Sequence, residues 1–117
     1  MESNFEITNE FVMQTVTKGK QYSAYFYKAG PNSHQIPAEP DELQMAHLRH
    51  LFTLRAQGKL VINGPVVDGG PLLGIGIFDT TDVEEVKRYL DGDPAVQAGR
   101  LVYEIHPWFS IPGDSLP

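Results

Sequence analysis

Along residues 21–28 (QYSAYFYK), Tyr22, Ala24 and Phe26 alternate with Gln21, Ser23 and Tyr25, which is the period of two that a strand requires. The pattern predicts a strand with one well-buried face. It breaks at residues 29–40 (AGPNSHQIPAEP), where three prolines, a Gly and an Asn predict an irregular loop long enough to lie across something. The run DELQMAHLRHLFTLRAQ, opening at Asp41, has acidic residues in its first turn, no interior Gly or Pro, and Gly58 as a stop, so it predicts a helix. At ~100° per residue, Leu43, His47, Leu51 and Leu54 fall on one stripe, and Leu48, Phe52 and Met45 continue around it. That arc is wide enough to serve a sheet and a second surface, such as a partner subunit. Residues 59–63 and 72–79 read as strands of an antiparallel hairpin around GPVVDGGP, with the turn at Asp68-Gly69-Gly70. Thr81 with Glu84 forms a capping box for a second helix, DVEEVKRYL, in which Val83, Val86, Tyr89 and Leu90 recur at helical spacing. Asp93-Pro94 opens a short turn that ends at Gly99, and LVYEIHPWF is the last strand. Ahead of all this, TNEFVMQTVTKG predicts a short helix capped by Thr8 or Asn9 and closed by Gly19.

Strand, helix, two strands, helix, strand is the α+β ferredoxin-like βαββαβ pattern: an antiparallel four-stranded sheet with two helices on one face. The expected layout is an N-terminal extension over 1–19, one domain over 20–109 and a tail over 110–117. Such a sheet leaves its second face bare, and a contiguous apolar face on a soluble chain marks an interaction surface, so a homodimer packed sheet to sheet is expected. Leu73, Ile75 and Ile77 point to one side of the hairpin strand and Leu72, Gly74, Gly76 and Phe78 to the other, so both sides hold material to bury. Gly74 and Gly76 remove bulk at one spot, which reads either as close packing or as a pocket floor.

Composition narrows the class. At 117 residues one compact domain is expected, burying roughly two thirds of its unfolded surface. Fifteen acidic against nine basic residues give a net charge of −6, which offers little to nucleic-acid phosphates or to an anionic membrane. No signal peptide is visible and no apolar run approaches ~20 residues, so a soluble, cytoplasmic protein is expected. The absence of Cys removes disulfides, thiolate metal sites and a Cys nucleophile, and leaves the redox compartment undetermined.

His47 is the most informative polar residue, because an imidazole on a core-facing stripe needs a hydrogen-bond partner. It reads as a general acid or base, or as a satisfied core histidine. Asp93 before Pro94 fits a helix N-cap, and a capping carboxylate can also accept a bond from an imidazole. His50 makes HLRH, yet no third ligand stands at motif spacing, so no metal is expected; His34 and His106 are equally uncommitted. GPVVDGGPLLGIG leads into a strand rather than a helix, which excludes a phosphate loop and a dinucleotide fingerprint, and no Gly-x-Ser-x-Gly elbow is present. Trp108 beside Phe109, between prolines, is a rigid aromatic patch that closes over a cavity or clamps a partner subunit.

From about Gln21 to Trp108 the chain resembles the YCII-related domain proteins. The resemblance is carried by Gly30-Pro31, by His47-Leu48 followed eleven residues later by Gly58-Lys59, by Asn63-Gly64-Pro65 read as a turn, by LLGIGIF, by Asp93-Pro94 with Gly99 after it, and by Pro107-Trp108. It implies a dimeric α/β barrel of ferredoxin-like units, acid-base chemistry on small cyclic or aromatic molecules, dehydrochlorinase activity in one branch, and a His/Asp dyad at the positions of His47 and Asp93. Residues 1–19, the proline-rich loop and the tail depart from the family pattern. The expectation is a small cofactor-free enzyme of lyase or isomerase type. In it His47 shuttles a proton, Asp93 orients the imidazole, and Phe26, Gly64, Pro65, Gly74, Gly76 and Trp108 shape an apolar substrate pocket. The competing expectation is a non-catalytic ligand-binding or assembly domain, with His47 structural and Asp93 a helix cap.

Overall fold

The structure is a computed structural model that describes residues 6–33 and 40–117. His34 and the middle of the loop expected over 29–40 lie outside the described residues. The elements run α1 (Asn9–Val16), β1 (Lys20–Ala29), α2 (Glu42–Ala56), β2 (Leu60–Pro65), β3 (Leu72–Phe78), α3 (Val83–Asp91), α4 (Pro94–Gln97) and β4 (Leu101–Ser110). The four strands form one antiparallel sheet in the order β2-β3-β1-β4, the ferredoxin-like arrangement. None of the described helices is long and apolar enough to cross a membrane.

Local chemistry explains where the elements begin and end. The α1 cap is Thr8, whose side chain accepts from the Phe11 amide, and the helix closes at Thr17, ahead of Gly19. Asp41 caps α2 by accepting from the Gln44 amide at 2.9 Å. The cap of α3 is Asp82 and not Thr81, because the Asp82 carboxylate reaches both the Glu84 and the Glu85 amides. The capping box is thus displaced by one residue, with the Thr80 hydroxyl linking the Asp82 amide to the Glu85 carboxylate. Asn63-Gly64-Pro65 is not a turn but the end of β2, an edge strand, where a proline without an N–H costs no ladder bond. Pro107 is tolerated inside β4 for the same reason, since among the described residues β4 is an edge strand paired with β1. The backbone of α4 closes at Gly99, whose φ of 76° favours glycine, and the Arg100 amide then returns to the Ala95 carbonyl.

The core lies between the helices and the sheet face that carries Tyr25, Tyr27 and Phe78. Leu51 and Leu54 from α2, Val86 and Leu90 from α3, and Ala95 from α4 close it. The other face carries Tyr22, Phe26, Ile75, Ile77, Val102 and Trp108, of which Ile75, Val102 and Trp108 are exposed. The apolar arc of α2 likewise runs past the core, leaving Met45 and Phe52 exposed.

Candidate active site

Three elements converge on one carboxylate. Asp93 sits at the start of α4, fully buried, and its Oδ1 accepts the Ala95 amide at 2.9 Å, which is the helix cap. Its Oδ2 meets His47 Nδ1 of α2 at 2.6 Å and accepts the Tyr27 hydroxyl of β1 at 2.7 Å. A carboxylate offers only acceptors, so Nδ1 carries the proton in this bond and the neutral ring presents Nε2 as an acceptor. Burial, reinforced by the charge and the hydrogen bond of Asp93, pushes the Tyr27 phenol well above its ordinary pKa and keeps it a donor.

His47 forms part of the wall of a cavity of about 390 Å³, bounded by Leu48 and Leu51 of α2 and by Gly64, Pro65, Gly74 and Leu101 of the sheet. Among the described residues Nε2 has no protein partner, and no buried side-chain nitrogen or oxygen is left unsatisfied, so Nε2 is open to the cavity. At its rim Arg100 grips Asp41 through two bonds of 3.1 and 2.8 Å, and this guanidinium holds the Asp41 carboxyl at about 2.

Of the residues expected to shape a pocket, Gly64, Pro65 and Gly74 are in its wall, while Gly76, Phe26 and Trp108 are not. Gly76 lies under the Tyr25 ring, where a Cβ would overlap that ring, so its lack of a side chain serves close packing. Phe26 and Trp108 are on the open face of the sheet, Phe26 edge-on to His106 at 5.6 Å and Trp108 tilted to Tyr22 at 6.4 Å. Strand alternation excludes both from a cavity on the helix side. His50 Nε2 lies 2.6 Å from the Tyr89 carbonyl, turned away from His47, and the described residues contain no group of three His, Asp or Glu side chains able to hold a metal. Tyr25, Tyr27, Gln44, Asn63 and Arg100 are polar wall residues that the sequence reading missed. The signal for the two tyrosines was present: they stand two apart in a strand, and a buried phenol needs a partner for its hydroxyl.

The sheet is ferredoxin-like, and a buried histidine-aspartate pair lies beside the cavity with His47 in its wall. A family model, the YCII-related domain, matches residues 21–109, and the chain belongs to that family. A comparison with curated proteins found no match. Among solved structures the chain is similar to 5-chloro-2-hydroxyhydroquinone dehydrochlorinase from Burkholderia phenoliruptrix, determined with 2,5-dihydroxybenzoquinone. The two are 23% identical with a TM-score of 0.58 over 74% of this chain and 92% of that one, a likeness of fold.

Proposed function

We propose that this chain is a small enzyme of lyase or isomerase type that moves a proton on a hydroxylated ring compound. The observation that carries the reading is the 2.6 Å bond from His47 Nδ1 to Asp93, with Nε2 left free at a cavity of about 390 Å³, room enough for a small ring compound. Nε2 takes a proton from a phenol or from a carbon beside a carbonyl. The electron pair of the broken bond moves into the ring. It leaves with a departing group such as chloride, or the imidazolium returns the proton at another ring position. Asp93 fixes the orientation of the imidazole, and the two other donors to it hold the carboxylate still. The similar dehydrochlorinase, by its name and by its bound quinone, supports the choice of substrate class. The acid-base reading is favoured over the non-catalytic one because Asp93 uses one oxygen as a cap and the other for His47, so capping alone does not account for it.

We further propose a cytoplasmic homodimer packed through the open sheet face. The test of the chemistry is chloride release and quinone absorbance with chlorinated hydroxyhydroquinones. His47→Ala is expected to lower turnover by ~100-fold or more with the fold retained; turnover equal to that of the parent overturns the assignment.

A further inference from the structure

Tyr25 is a polar group at the cavity that the proton-transfer reading does not use. It precedes Tyr27 by two residues on the same face of β1 and is 1% exposed. Its ring is held against Tyr27 at 4.9 Å and Phe78 at 5.5 Å, and it lies across Gly76, which has no side chain to displace it. Tyr27, Tyr89 and Tyr103 each donate their hydroxyl to a carboxylate, of Asp93, Glu85 and Asp91 respectively. The Tyr25 hydroxyl has no such partner among the described residues. Since no buried side-chain oxygen there is left unsatisfied, the small accessible part of Tyr25 includes this hydroxyl, and it opens on the cavity whose wall Tyr25 forms. A phenol placed in an apolar enclosure without a protein acceptor costs free energy unless something else accepts from it.

We propose that the Tyr25 hydroxyl is a substrate contact, donating a hydrogen bond to a carbonyl, phenolate or enolate oxygen of the ring compound while His47 Nε2 addresses its acidic proton. This deepens the acid-base reading and rests on it. Burial, with a further contribution from the Asp93 charge, raises the Tyr25 phenol well above its ordinary value, so it acts as a donor and not as a base. Its bond strengthens as negative charge builds on the ring oxygen during proton removal, the condition under which a fixed donor accelerates a reaction. Among the other donors of the wall, Tyr27 is committed to Asp93 and Arg100 to Asp41.

The experiment compares the binding of two probes, 2,5-dihydroxybenzoquinone and toluene, to the parent, Tyr25→Phe and His47→Ala proteins by calorimetry. Tyr25→Phe is expected to bind the quinone ~10-fold more weakly and toluene unchanged. Its melting midpoint is expected to match or exceed that of the parent, because no hydrogen bond within the protein is lost. Equal quinone affinity in Tyr25→Phe, an equal weakening toward both probes, or no quinone binding by the parent overturns the contact. His47→Ala separates the two readings. If it turns over like the parent while Tyr25→Phe still loses quinone affinity, the proton-transfer assignment falls and the Tyr25 contact stands as a ligand contact.

Discussion

Asp93 holds the site together, and its neighbours differ in how much depends on it. Tyr27→Phe removes one donor and leaves the bond from His47 in place, so its cost in stability is about 1 kcal/mol. Asp93→Ala strips the cap from α4 and leaves the Tyr27 hydroxyl and the Ala95 amide without an acceptor in a buried place, which costs about 3 kcal/mol. Urea midpoints of the two variants check the order. A smaller loss in Asp93→Ala than in Tyr27→Phe would refute it. His47 was legible in the sequence because a lone imidazole among leucines stands out, and Asp93 was legible as the residue before a proline. Their meeting was not, because it joins residues 46 apart through the packing of α4 on α2, which no local pattern encodes. The resemblance to the family supplied that pairing. Phe26 and Trp108 were misplaced because alternation divides a strand into two faces without saying which one the helices cover.

At the level of elements, the strands and helices were readable because their periodicities are strong, and the errors fell at their ends. The capping box moved from Thr81 to Asp82 because the carboxylate satisfies two amides where a hydroxyl satisfies one. Nothing in the local sequence tied the start of α2 to the start of β4, yet Asp41 caps α2 and accepts two bonds from Arg100. The guanidinium, with help from the Gln44 amide, lowers the Asp41 pKa from 3.8 to about 2. The folded chain therefore holds that proton less tightly than the unfolded chain does. The stabilising contribution is complete above pH 3.8 and is lost as the pH falls through about 2. Asp41→Asn keeps a capping side chain and removes the charge, so its stability is expected to fall less steeply than that of the parent across this window. Denaturant midpoints taken at several acidic pH values measure both slopes, and parallel slopes would dismiss the pair as a source of acid sensitivity.

For the molecule as a whole, the sheet divides the chain into a covered side that holds the candidate site and an open side that holds Phe26, Ile75, Val102 and Trp108. An apolar face of this kind calls for a cover, and the cover proposed above is a second copy of matching chemistry. Sedimentation is expected to give twice the 13.0 kDa chain mass, and Phe26→Asp is expected to shift the protein toward the mass of a single chain. A parent that sediments as a single chain at micromolar concentration would exclude the dimer. The two sides were foreseeable from the alternation in LLGIGIF; what lies on each was not, since Gly74 forms a cavity wall while Gly76 makes room for a ring. The α4 cap carries a further consequence for timing. The same carboxylate winds a four-residue helix and anchors the imidazole, so a transient unwinding of that one turn leaves His47 without its anchor. The readiness of the proposed base is thus tied to the briefest helix among the described residues, which gives the site a clock.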